Sequence, residues 1–151
     1  MRFTPALVLL AGCAAAPLPT AISALPTRPG NWCEGTVAIV VSDEFEDDCL
    51  DNIAVAIEFW RGVGVDYITA GLAPENEMAF DEAYKGVVQM FPTSYLGEGV
   101  LGLCSTGRRE GETCISAAQI ELVSCDIQTV THEIGHALGL PHVEDESNLM
   151  N

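Results

Sequence analysis

All three histidines of this 151-residue chain fall within eleven residues, at positions 132, 136 and 142. Glu133 stands beside the first, and Gly139 lies between the second and third. Residues four apart share one face of a helix, so His132 and His136 point the same way. Two imidazoles converging from a helix, with a carboxylate next to one of them, are the parts of a zinc site with an attached general base. Gly139 can take the left-handed conformation that ends a helix, and Pro141 cannot continue one. The chain can therefore turn back and offer His142 as a third ligand. Three protein ligands leave a fourth position open, which is the catalytic rather than the structural arrangement of zinc.

The run His132-Glu133-Ile134-Gly135-His136-Ala137-Leu138-Gly139-Leu140-Pro141-His142 is followed by Met150 eight residues after the last histidine. It resembles the metzincin clan of zinc metallopeptidases, and the step from His142 to Met150 is similar to that of the matrixin branch. The resemblance implies a zinc metalloendopeptidase acting on peptide or protein substrates. One catalytic Zn2+ is held by His132, His136 and His142, and Glu133 is the general base. Such an ion brings the pKa of its water toward about 7. Met150 is expected in a tight turn beneath the ligands, as support together with Gly139. Val100, Leu101, Gly102 and Leu103 are expected on an exposed edge strand that an extended substrate joins by β-augmentation. The implied fold is α+β, a metzincin-like zincin domain: a twisted mixed sheet with an antiparallel edge strand and two main helices. The chain runs one residue past the methionine, so a minimal C-terminal subdomain is expected. The rival reading is an exported module that holds zinc without cleaving peptides.

The elements that must position these residues are legible as hydrophobic patterns. Residues 36–41 form a β-branched apolar run, read as a buried strand. Leu50, Ile53, Ala54, Ile57, Trp60 and Val63 recur at helical spacing after an acidic stretch, 43–48, suited to a helix N-terminus. Gly62 and Gly64 end that helix, and 65–70 reads as a second strand, joined to the first by a parallel crossover. Residues 86–91 read as a third strand stopped by Pro92, 100–104 as the edge strand, and 114–123 as the last strand. Between these last two, the polar loop 105–113 carries Arg108 and Arg109. Asp126 is the expected N-cap of the motif helix. Ile127, Val130, Ile134 and Leu138 make that helix's apolar stripe, opposite the histidines.

Upstream of the domain, Arg2 and a short apolar run, 3–11, lead to Leu10-Ala11-Gly12-Cys13, which resembles a bacterial lipobox. Residues 1–13 are thus read as a signal peptide with a lipidated Cys13, and 14–31, with four prolines, as an extended tether. Ordinary cleavage after Ala24 is the alternative, and either route exports the protein, to the cell envelope or as a secreted form. The zinc domain is expected over 32–151. Six Lys and Arg stand against 22 Asp and Glu, for a formal net charge of −16. That balance excludes nucleic acid and anionic membrane surfaces as partners, so membrane contact comes only through the lipid, and the domain is expected as a monomer. Calcium rests on the acidic run 43–51 alone. Export favours disulfides among Cys33, Cys49, Cys104, Cys114 and Cys125. Connectivity stays open, with Cys33–Cys49 and Cys104–Cys114 the preferred pairs and Cys125 left over.

Overall fold

The computed structural model describes residues 32–73, 85–108, 110–144 and 148–151. Residues 1–31, read above as signal peptide and tether, and Arg109 lie outside these residues. Seven elements follow the expected order: β1 (Val37–Ser42), α1 (Asp47–Gly62), β2 (Ile68–Ala73), β3 (Val87–Pro92), β4 (Gly102–Gly107), β5 (Ala117–Leu122) and α2 (Ile127–Ala137). The five strands form one sheet in the order β2-β1-β3-β5-β4. The first four run parallel, and β4 pairs antiparallel with β5 at the sheet edge. This is the expected α+β domain with a mixed sheet and an antiparallel edge strand.

Alternation along the strands builds the core. Val37, Ile39 and Val41 of β1, Val88 and Met90 of β3, and Ala118, Ile120 and Leu122 of β5 are buried. They join Ile53, Ile57 and Trp60 of α1 and Val130 and Ile134 of α2 in one cluster. The two helices pack against each other, and the Trp60 indole N–H donates to the Thr131 carbonyl at 3.0 Å. That bond lets a large side chain be fully buried without an orphaned polar atom. A second indole, Trp32, donates to the Ala137 carbonyl at 2.9 Å and fixes the C-terminal end of α2.

Several boundaries differ from expectation: β2 runs on to Ala73, β3 includes Pro92, and β4 continues to Gly107 through residues read as loop. Residues 65–67 do not belong to β2. The Val65 N–H donates to the Trp60 carbonyl, so this buried valine closes α1 instead of opening a strand. Similarly, β5 starts at Ala117, because Ile115 bridges Trp32 and Ser116 bonds back to Gly107. The edge strand starts at Gly102, and Val100 and Leu101 precede it.

Both preferred disulfide pairs are wrong. The bonds are Cys33–Cys114 and Cys49–Cys125, and among the described residues Cys104 is the free cysteine. Tertiary neighbours decide the pairing, not proximity in sequence. The Trp32–Ile115 bridge lays Cys33 beside Cys114, with Cα atoms 5.1 Å apart. Packing of α1 on the chain entering α2 does the same for Cys49 and Cys125, where Asn52 Nδ2 also donates to the Cys125 carbonyl. Cys104 lies opposite Ile120 on β5, away from Cys114.

Candidate metal centre and its cleft

Helix α2 begins as Asp126 requires. Its carboxylate accepts from the Gln128 and Thr129 backbone N–H groups, at 3.1 and 3.0 Å, and from the Thr129 hydroxyl. Two of the orphan donors of the first turn are satisfied in this way. The helix ends as Gly139 permits. Gly139 sits at φ 91°, its N–H donates to the His136 carbonyl, and the Leu140 N–H donates to the Gly135 carbonyl. This pair of reversed bonds is the Schellman termination, and it throws the chain back across the helix end.

The turn-back delivers His142 to the other two histidines. Its Nε2 lies 3.1 Å from His132 Nε2 and 3.0 Å from His136 Nε2. His132 Nδ1 lies 2.7 Å from the Leu149 carbonyl, and His136 Nδ1 lies 2.8 Å from the Leu140 carbonyl. A carbonyl can only accept, so both Nδ1 atoms carry the proton and both Nε2 atoms present lone pairs inward. With the His142 proton also on Nδ1, three ring lone pairs converge and repel one another unless a cation sits at their centre. Tetrahedral zinc, with Zn–N near 2.0–2.1 Å, spaces its nitrogens about 3.4 Å apart. The triad therefore fits a zinc ion in donor type, protonation and spacing, and could hold one. Burial, with the facing His132 and His142 rings, pushes the His136 imidazole toward its neutral, metal-ready form against the Leu140 bond.

Beneath the ligands lies the methionine turn. Asn148 Oδ1 accepts from the Met150 N–H at 3.0 Å, the Asn151 N–H donates to the Asn148 carbonyl, and the Val143 N–H donates to the Met150 carbonyl. Met150 is 2% exposed. Its position against α2 depends on Gly135, a residue the sequence reading passed over. Glu133 is buried beside the triad. Burial pushes its carboxyl up, opposed by the neighbouring His132 ring and by the Cys104 backbone N–H. Gly102 of β4 faces it so closely that a Cβ there would meet Glu133 Cγ at 2.7 Å and Oε1 at 3.0 Å. Cys104, two residues along, has its thiol pushed up to about 12 by burial and by the Glu133 charge. A thiol in that state is a poor nucleophile.

The Metallo-peptidase family M12B Reprolysin-like model matches residues 66–143, which is just over half of the chain and includes all three histidines. The chain belongs to this family. A zinc cofactor and hydrolysis of peptide bonds follow for a reprolysin-like metallopeptidase, and the histidine triad is where its ion fits. The match is to the reprolysin-like model, and the matrixin-like step from His142 to Met150 stands as a likeness in spacing. No curated protein matches the chain closely enough to count as a relative.

Two clefts open on the site of this reprolysin-like domain. One, of about 640 Å³, runs between β4, with Arg108 just beyond it, and residues 139–142. The other, of about 560 Å³, lies between residues 99–102 and the turn at Asn148–Asn151. Gly102 and Glu133 line both. Val100 and Leu101, although outside the strand, thus wall the second cleft, and Leu103 lines the first. Among the described residues, the other group able to hold a metal is Cys33, Glu112 and Cys114, whose sulfurs are joined to each other. The acidic run 43–51 forms no such group.

Proposed function

We propose that the protein is a zinc-dependent endopeptidase with Glu133 as its general base. The observation that carries this reading is the pair of clefts adjoining at Glu133. A chain can enter along one, pass the triad and leave along the other, whereas an exopeptidase needs one end closed. His132, His136 and His142 would hold the ion, which supplies Lewis acidity toward the scissile carbonyl and the attacking water. Glu133 takes the proton from that water and returns it to the leaving amine, a shuttle suited to a carboxyl whose proton affinity burial has raised. Met150 and the two carbonyl acceptors keep the rings in register. The Leu101 and Gly107 carbonyls face β5. Strand alternation then leaves the backbone groups of Gly102 and Thr106 and the Cys104 carbonyl directed to the open edge, where an extended substrate pairs, while the Cys104 N–H serves Glu133.

Export, with Cys13 lipidated at the cell envelope, belongs to the same proposal and rests on the sequence of residues 1–31. Detergent-phase partition and a mass increment at Cys13 would support it, and a soluble product starting near Leu25 would refute it.

The deciding experiment replaces Glu133 with glutamine, which keeps the shape and removes the basic site. Zinc content should persist while cleavage of a mixed peptide library falls by about 10²–10⁴. Undiminished cleavage would refute the role of Glu133. A parent protein that binds zinc and cleaves nothing would favour the zinc-holding module instead.

A further inference from the structure

Gly102, Cys104 and Thr106 follow the two-residue period of β4, Arg108 comes next in that spacing just past the strand's end, and all four line the larger cleft. The first leaves space for Glu133, and the next two are small. The row ends in a guanidinium. Arg108 is exposed, and among the described residues it is the one cation lining either cleft. The chain carries few cations to spare. Of the other two described, Lys85 lines neither cleft, and Arg61 pairs with Glu58 and donates to the Ile68 carbonyl. Arg108 makes no ion pair among the described residues. Its root is held firmly, because the Gly107 carbonyl accepts from both the N–H and the hydroxyl of Ser116. Two residues before Ser116, Cys114 is tied to Cys33. Among the side chains lining the second cleft, Glu133 is the one carboxylate and there is no lysine or arginine.

We infer that Arg108 is a specificity-determining residue, selecting substrates with an acidic side chain several residues upstream of the cleaved bond. This rests on the endopeptidase reading above. An antiparallel partner, the more stable pairing, runs its N-terminal half from Gly102 toward Arg108. At about 3.4 Å per residue, Arg108 stands roughly 20 Å beyond Gly102 along the strand. The side chain beside it then belongs to a residue roughly three to six positions before the scissile bond. A carboxylate there meets a planar fork of donors that matches it. On a chain of net charge −16, the bulk field repels acidic peptides, so this single cation gives the cleft a local preference that the whole molecule lacks.

The test is a peptide series carrying Glu, Gln or Lys in turn at each of the six positions upstream of a fixed cleavage site. Turnover is measured on the zinc-loaded protein, and binding is measured by fluorescence anisotropy on its zinc-loaded Glu133→Gln variant. Glu peptides should exceed Gln peptides by roughly two- to tenfold at one or two of those positions, as expected of an ion pair open to solvent on one side. The margin should shrink as salt rises. Arg108→Gln should erase the preference, and Arg108→Glu should invert it toward Lys. Equal treatment of Glu and Gln at every position, or a preference that survives Arg108→Gln, would overturn the inference. If no peptide is cleaved, the endopeptidase reading fails, and the anisotropy series still decides the role of Arg108.

Discussion

The Cβ that Gly135 lacks would sit 2.4 Å from the Met150 sulfur, 3.0 Å from its terminal methyl and 3.1 Å from Cζ2 of Trp60. Helix α2 therefore has a notch in its underside, and the methionine turn is seated in it. Gly135→Ala should improve helix propensity by about 1 kcal/mol. It should lose more through overpacking, which costs about 1–3 kcal/mol in a tight core. The expected result is a lower melting temperature and weaker zinc retention. Adding Met150→Ala should recover part of the loss, because the two sites share one contact. Thermal unfolding of the four proteins in the cycle measures this.

Gly102 does for Glu133 what Gly135 does for Met150. Gly102→Ala should push the Glu133 carboxylate aside while leaving the triad untouched. Zinc stoichiometry should stay at that of the parent, and kcat/KM should drop on the order of 10–100-fold, as expected for a misplaced reacting group. Parallel elemental analysis and peptide assays check both halves. Unchanged kcat/KM would show that the close approach has no bearing on catalysis.

His142 is the ligand delivered by a loop, whereas His132 and His136 share a helix. Its Nε2 is also within 3.1 Å of both partners. His142→Ala should leave α2 folded and abolish stoichiometric zinc under competition with a mild chelator. A variant that holds the ion as tightly as the parent would remove His142 from the ligand set.

The parts of the site with a chemical constraint were legible in the sequence. Zinc demands particular donors at particular spacings, and α2, its Asp126 cap and the turn at Gly139 followed from them. The sheet was legible as elements and less so as boundaries. Val65 is as apolar as a strand residue, yet it is spent on closing α1. The cysteine pairing was not legible, because it depends on the Trp32–Ile115 bridge and on helix packing between residues far apart in the chain. Gly102 and Gly135 left a signal that went unused. A glycine within a strand, or flanked by Ile134 and His136 in a helix, marks a place where something else comes close.

Asp126 supplies a pH dependence. Burial alone would raise its carboxyl, but hydrogen bonds from Thr129, Ser124 and Gln128 hold it below the usual range. The unfolded chain then binds the proton more readily than the native one. The stabilisation is fully present above the unfolded pKa, near 3.9, and is lost as pH falls through the lower native value. Asp126→Ala should cost about 1 kcal/mol at neutral pH, the usual worth of an N-cap. Denaturant titrations of both proteins from pH 7 down to 2 should show their difference narrowing below about pH 4. A gap that stays constant would assign the effect to packing rather than to the charge.

The two disulfides interleave: Cys33 and Cys49 come first, then their partners Cys114 and Cys125, in that order. Any single break between positions 33 and 125 therefore leaves both fragments covalently joined, whichever peptide bond is lost. A peptidase is its own nearest substrate at high concentration, and this arrangement makes one self-inflicted cut survivable. The nicked protein would migrate as one species on a non-reducing gel and come apart only after reduction. The ends of the zinc helix and of the helix beneath it would stay tethered throughout.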